Sequence, residues 1–213
     1  MTLHSHDTHF YIRVNRQPLM GTNASESEKV LGELACARLG EKSQVRVLIG
    51  GLGLGFTLRR ALELLGPDAI VEVAELLPEI VAWNREHLRE LNGALLDDPR
   101  VVLIVGDVFP LIEQAPKGHY DAIMLDVDNG PIAMVQDGNE RLYQSQGFSA
   151  IMHALKPGAR AVFWSAKPDP RFEKKLAKAG FKAETVPCKA YPQAKRCTHA
   201  LFVADRPGTA KAE

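Results

Sequence analysis

The sequence predicts an α/β protein with a mostly parallel sheet covered on both faces by helices. Three features carry that expectation. From residue 45 onward, short apolar runs of strand length alternate with longer stretches of helical periodicity. The first of these strands runs into a turn with four glycines in six residues, Gly50, Gly51, Gly53 and Gly55, before a helix begins. The last two apolar runs follow each other with no helix between them, which places an antiparallel pair on one edge. Alternation of this kind closes by right-handed crossovers, and the ligand crevice of such a sheet lies beyond the carboxyl ends of its strands.

The elements follow in order. Residues 1–9 are polar and carry His4, His6 and His9; a terminal stretch of this composition reads as a frayed end rather than a metal site. Residues 10–14 alternate as a short strand or extended arm. Residues 25–38 read as a helix opened by a capping box, Ser25 with Glu28 three positions on, and faced with Val30, Leu31, Leu34 and Ala37. Strands are expected at 45–49, 70–74, 101–105, 122–125 and 159–165. Helices are expected at 56–65, 78–91, a short one near 109–114, then 144–155 and 170–179. The edge pair is 182–187 with 198–205. Without repeats or low-complexity blocks, the economical division is an N-terminal extension and helix (1–44), one domain (45–206) and a tail (207–213).

Bulk composition narrows the function classes. A chain of 213 residues suits one domain that buries roughly 70% of its unfolded surface. Lys+Arg and Asp+Glu both number 26, so no overall field favours nucleic acid or polycations. The three cysteines, Cys36, Cys188 and Cys197, lack the spacing of a zinc site or a disulfide framework and read as reduced thiols. No apolar run reaches the roughly 18 residues of a membrane span, and residues 1–9 lack a signal-peptide core. A cytoplasmic protein with no membrane or nucleic-acid partner and no metal is expected.

Polar residues collect where the strands end. A glycine loop between strand and helix lets a ligand approach the backbone and meet free helical N–H groups, although tight packing alone also gathers glycines. Glu75 ends the second strand, 20 positions beyond Gly55, where an acid reaches the two ribose hydroxyls of a nucleoside. Gly106 and Asp107 end the third. Asp107 suits either an exocyclic amine such as that of adenine or the N-cap of the following helix, and both readings stand at this point. After the fourth strand come Asp126, Asp128 and Asn129. Asp126 is the first choice for a base that orients an amine and takes its proton, while Asp128 and Asn129 also fit an Asx-turn into Gly130-Pro131. Asp121 lies at the opposite end of that strand and reads as a turn residue. Trp83 and Trp164 read as core or cleft-wall packing.

With these residues in hand, the chain resembles the spermidine synthase family within the class I S-adenosylmethionine-dependent methyltransferases. Val47-Leu48-Ile49-Gly50-Gly51 is similar to the family's glycine motif, Ala74-Glu75-Leu76 to its ribose-binding acid, and Gly106-Asp107-Val108 to its adenine-side motif. The run from Tyr120 to Asp126 is similar to the strand that ends in the family's catalytic aspartate. Leu142-Tyr143, Phe148 and Ala154-Leu155-Lys156-Pro157-Gly158 are similar to the helix and turn beyond it. The resemblance implies a Rossmann-like, doubly wound sheet of seven strands, the last antiparallel. It also implies a cofactor that is S-adenosylmethionine or its decarboxylated form, and a possible homodimer. Gly50, Gly51, Gly53, Gly55, Glu75, Leu76, Gly106, Asp107 and Val108 would hold the cofactor, Asp126 would be catalytic, and Asp128, Asn129 and Tyr143 would bind a small-molecule acceptor.

Two departures bear on the reaction. Aminopropyltransferases of the family carry an aspartate in the glycine motif that holds the amine of decarboxylated S-adenosylmethionine, and Gly53 occupies that position here. The residues from Gln17 to Glu28 do not reproduce the family's polyamine clamp, and Asp126 to Asn129 change the spacing of its aspartate motif. Methyl transfer to a small amine or similar nucleophile is therefore the expected reaction. Aminopropyl transfer and a catalytically silent nucleoside-binding protein are the alternatives.

Overall fold

In a computed structural model, described here for residues 1–127 and 141–209, two sheets account for the chain. The smaller is an antiparallel meander of β1 (Thr2–His6), β2 (His9–Val14) and β3 (Gln17–Gly21). Its second turn is held by Asn15 and Arg16, both at positive φ, as a two-residue hairpin between right-twisted strands requires. The N-terminal stretch that reads from sequence as a frayed end is thus strand β1, paired to β2 from Thr2↔Arg13 to His6↔His9. Ile12 of β2 is fully buried and joins the core of the larger sheet, which anchors the meander to it.

The larger sheet has seven strands in the order β6-β5-β4-β7-β8-β10-β9. These are β4 (Arg46–Gly50), β5 (Ile70–Glu75), β6 (Val101–Val105), β7 (Tyr120–Leu125), β8 (Leu155–Ser165), β9 (Lys182–Cys188) and β10 (His199–Asp205). The first five are parallel where they meet. The antiparallel strand is β10, which lies between β8 and the edge strand β9. The chain winds outward from β4 in one direction to β6 and then restarts at β7 on β4's other side. The sheet's switch point therefore lies between β4 and β7, where a crevice opens in a doubly wound fold.

Helices cover both faces: α1 (Glu26–Cys36), α2 (Phe56–Leu64), α3 (Pro78–Glu86), α4 (Arg89–Asn92), α5 (Val108–Glu113), α6 (Ser145–Ala154) and α7 (Pro170–Lys178). Val47, Ile49, Val71 and Val73 pack with Leu31 and Leu58 on one face. Leu48, Ile123, Leu125 and Phe163 pack with Phe148 and Phe172 on the other. This two-sided burial is what near-continuous apolar strands specify.

Three local expectations need correction. The helix expected over 78–91 breaks after Glu86: the N–H groups of His87 and Leu88 both donate to the Trp83 carbonyl at 2.9 Å, and the turn drives Leu88 into full burial. Strand β8 begins at Leu155, straight out of α6, with a register shift against β7 between Tyr120 and Ala122. The capping box at α1 does not form. Ser25 sits at φ −110°, ψ 2°, away from the extended backbone that aims a cap hydroxyl, and Glu28 instead accepts from the Ser27 hydroxyl at 2.6 Å. The first helical N–H, on Glu26, is satisfied by the Ala190 carbonyl at 3.3 Å.

Candidate active site

The carboxyl ends of β4, β5, β6 and β7 converge on a cavity of about 670 Å3, roofed by the N-terminal meander and the start of α1. Backbone bonds fix the convergence: Gly51 N–H donates to Ala74 at 2.8 Å, Gly106 N–H to Glu75 at 2.8 Å, and Asp126 N–H to Gly50 at 2.9 Å. The size suits a small-molecule ligand.

The glycine loop is braced from two sides. Glu75, only 7% exposed, accepts the N–H of Leu52 at 2.9 Å and of Gly53 at 3.4 Å on one oxygen, and that of Leu77 at 3.0 Å on the other. Asn84 donates to the Gly53 carbonyl at 2.8 Å, and Asn92 donates to the Leu54 carbonyl. Gly51 and Gly53 line the cavity. Gly51 is at φ +95°, and a Cβ there would stand 2.3 Å from the Asp126 carbonyl oxygen, so only glycine fits. Gly53, at φ +51°, faces the Met20 side chain across 3.1 Å from an added Cβ to sulfur. Gly50 and Gly55 lie outside the lining: Gly50 packs under Leu125 and Val108, and Gly55 starts α2 beside Asn84 and Asn92.

Leu76, Gly106, Asp107 and Val108 line the same cavity. Asp107 does cap α5, accepting from Phe109 N–H at 2.9 Å, and its other oxygen takes a 2.8 Å bond from Arg141. The guanidinium of Arg141 lies over the Phe109 ring, 4.6 Å from its centre. The cap therefore coexists with a place on the cavity wall.

Asp126 lines the cavity at the end of β7, within 3.5 Å of the Thr57 hydroxyl. Burial holds its carboxyl well above the usual carboxylate range; the charges of Glu28 and Glu75 push in the same direction, and the Thr57 hydrogen bond opposes them. Tyr143 is not among the lining residues. Its hydroxyl donates to the Val127 carbonyl at 3.4 Å, and its ring packs against Phe163 and Phe172. Asp128 and Asn129 lie outside the described residues.

Several lining groups escape sequence reasoning. Glu28 reaches the cavity from α1, and burial raises its carboxyl pKa despite the Ser27 hydrogen bond. Thr57 donates to the Glu28 carbonyl oxygen at 3.4 Å and so ties α1 to the head of α2. Met20 and His199 also line the cavity, His199 beside Trp164, the tryptophan read from sequence as core or cleft-wall packing, with ring centres 5.1 Å apart. A hydroxyl and an acid in the first turns of two helices are ordinary in sequence; only the packing of those helices makes them neighbours. Asp121, by contrast, sits at the far end of β7 as expected, accepting from Arg46 N–H and Lys156 Nζ at 2.9 and 2.7 Å. His4 bonds Thr2, and His9 bonds Thr22 with its ring tilted against Tyr11. No described helix is long and apolar enough to cross a membrane.

Comparisons with known proteins place this geometry. Putrescine N-methyltransferase 1 of Nicotiana tabacum is 35% identical over 113 residues, 53% of this chain but 28% of that protein. The polyamine aminopropyltransferase of Mycobacterium tuberculosis is 31% identical over 124 residues, 57% of this chain and 23% of that protein. The chain thus matches about a quarter of the length of these curated relatives. Among solved structures, a spermidine synthase in complex with the transition state analogue AdoDATO aligns at TM-score 0.74 and 16% identity, covering 92% of this chain and 66% of that one. Human methyltransferase-like protein 13 in complex with SAH aligns at TM-score 0.65 and 17% identity, covering 87% and 84%. These two likenesses speak to the fold. The model of the spermine/spermidine synthase domain matches residues 29–192, most of the larger sheet with its glycine loop and Asp126, and the chain belongs to that family.

Proposed function

We propose that this chain transfers a methyl group from S-adenosylmethionine to a small amine. The observation that carries the choice of donor is the wall around Gly53. Decarboxylated S-adenosylmethionine presents an ammonium that needs an anion at this point of the loop, and the structure has a glycine there, at φ +51°, under the Met20 thioether. The intact cofactor presents a carboxylate as well, which an acid at this position would repel. Relatives of both kinds occur, putrescine N-methyltransferases and polyamine aminopropyltransferases, so the choice rests on Gly53.

The cavity fits such a nucleoside on its own features: a backbone surface at Gly51 that a Cβ would fill, a buried acid at Glu75, and apolar walls from Leu76, Ile80 and Val108. A bound sulfonium supplies an electrophilic carbon. Glu75 has about four lone-pair sites and spends three on loop N–H groups, so it can accept one ribose hydroxyl directly and a second by releasing the 3.4 Å bond to Gly53. Asp107 keeps acceptor capacity for an exocyclic amine. Asp126, with its raised affinity for a proton, takes one from the attacking nitrogen, and Thr57 fixes its orientation.

Aminopropyl transfer is the second reading, favoured by one observation: Glu28 brings an anion to the same cavity. Isothermal titration separates the two. Tighter binding of S-adenosylmethionine than of its decarboxylated form is expected, with methylated amine as the product. The reverse preference overturns the methyl reading, and binding without turnover on any amine points to a silent nucleoside-binding protein.

A further inference from the structure

Two buried carboxamides grip the glycine loop, and neither of them lines the cavity. Asn84 of α3, 7% exposed, donates from Nδ2 to the Gly53 carbonyl at 2.8 Å and to the Ile80 carbonyl of its own helix at 2.9 Å. Asn92 of α4, 6% exposed, donates to the Leu54 carbonyl, the next one along the loop. On an unbroken helix, residues eight positions apart stand about 12 Å from each other along the axis, too far for both to reach neighbouring carbonyls. The break after Glu86, where the N–H groups of His87 and Leu88 share the Trp83 carbonyl, is what brings them together. Gly55 threads between the two amides at φ +86°: a Cβ there would stand 2.9 Å from Asn92 Nδ2 and 3.3 Å from Asn84 Oδ1. The grip therefore accounts for a glycine that lies outside the cavity lining.

The loop's hold on its N–H side is weaker. Residues 52–55 form a tight turn closed by the Gly55 N–H on the Leu52 carbonyl at 2.9 Å, but the Gly53 N–H reaches Glu75 only at 3.4 Å. When Glu75 turns to two ribose hydroxyls, that long bond is the one released, and the bond from Asn84 still fixes Gly53 by its carbonyl. We infer that Asn84 is a positioning residue for the amino-acid tail of the donor, with Asn92 as its partner. Through the Gly53 and Leu54 carbonyls they hold the turn against which that tail lies, without touching the ligand themselves. The inference rests on the S-adenosylmethionine reading above and deepens it by naming groups behind the loop that set its shape. Arg85, Arg89 and Asp97 share the small hollow beside Asn84, on the side of the loop away from the nucleoside.

The test titrates wild type, Asn84→Leu and Asn92→Leu with two ligands: S-adenosylhomocysteine, which carries the tail, and methylthioadenosine, which keeps the nucleoside and lacks it. Loss of the amide–carbonyl bond is expected to weaken S-adenosylhomocysteine about fivefold in Asn84→Leu and to leave methylthioadenosine within about twofold. Asn92→Leu should change the two in the same direction. A general loosening of the fold would weaken both ligands alike, so the ratio of the two affinities is the readout. Asn84→Asp keeps the shape and replaces the donor by an acceptor, and it should shift that ratio the same way should the leucine variant fail to fold. Without any ligand, the amides of Leu52, Gly53 and Gly55 should exchange hydrogen faster in the variants than in wild type. Unchanged binding of S-adenosylhomocysteine overturns the inference, as does weakening by the same factor as methylthioadenosine, which would make Asn84 a brace of the fold only. Should wild type bind neither nucleoside, the S-adenosylmethionine reading falls and the inference with it, whereas binding by wild type with unchanged loop exchange in the variants overturns the inference alone.

Discussion

Replacing Gly51 with alanine tests the loop geometry on which the site depends. At φ +95° an L-residue costs about 1–3 kcal/mol. The new methyl would lie 2.3 Å from the Asp126 carbonyl oxygen, a backbone atom with no rotamer to give way. That carbonyl is held by its neighbours, because Asp126 N–H bonds Gly50 at 2.9 Å and Gly51 N–H bonds Ala74 at 2.8 Å. Relieving the overlap sacrifices at least one of these bonds, about 1 kcal/mol more. The sum, about 2–4 kcal/mol, should appear in urea denaturation at unchanged m-value. Affinity for S-adenosylmethionine should fall by at least about tenfold as the cradle moves away from the nucleoside. Gly106→Ala is the control: a Cβ there meets nothing within 4 Å, and stability should stay within about 0.5 kcal/mol. If Gly51→Ala denatures like Gly106→Ala and binds cofactor like wild type, the close approach of the β4 and β7 ends described here is wrong.

Gly53→Asp should exchange donor preference. Its side chain displaces only the flexible end of Met20, and the new charge should weaken S-adenosylmethionine about tenfold while strengthening the decarboxylated form, as calorimetry would register. Asp126→Asn should lower kcat by about 100- to 10,000-fold on any amine accepted. It should also change how stability depends on pH. The folded protein keeps a proton on Asp126 that the unfolded chain releases, so this group's contribution to stability is fully present below about pH 3.9 and is lost as pH rises toward the raised folded value. The amide removes that decline, and thermal melts from pH 4 upward should be flatter in the variant. Arg100 donates to the Leu62 and Leu65 carbonyls at 2.9 and 2.8 Å and to Asp98, closing the end of α2. Arg100→Met should cost about 1–3 kcal/mol by calorimetric melting and leave cofactor affinity unchanged; a weakened cofactor would show that α2's far end is coupled to the site.

Period and punctuation made the larger sheet readable before any coordinates. Val47 to Ile49 and Ala122 to Leu125 are apolar without interruption because both faces are covered, and a run of that kind announces a buried parallel strand. The acids at the strand ends were readable for the same reason: a parallel sheet lines up its carboxyl ends, so Glu75, Asp107 and Asp126 had to converge if the strands were placed correctly. Of the meander only β2 was readable, from the alternation of residues 10–14; β1 was not, because all of its side chains but Leu3 are exposed. The ring of Tyr143 packs with Phe163 and Phe172 while its hydroxyl bonds the carbonyl of Val127, a placement that the sequence pattern alone does not specify.

What the sequence by itself determined is the order of elements and the chemistry at each strand's end, because periodicity and turn composition are local properties that a chain expresses without knowing its neighbours. What only the tertiary structure decided is which groups from outside the sheet share the cavity. Glu28 was indistinguishable from a helix-capping acid until α1 docked against Thr57, and Met20 was one more apolar residue until β3 was laid over the glycine loop. Those neighbours are fixed by packing between segments 29 to 98 residues apart, and no local pattern encodes a contact of that span.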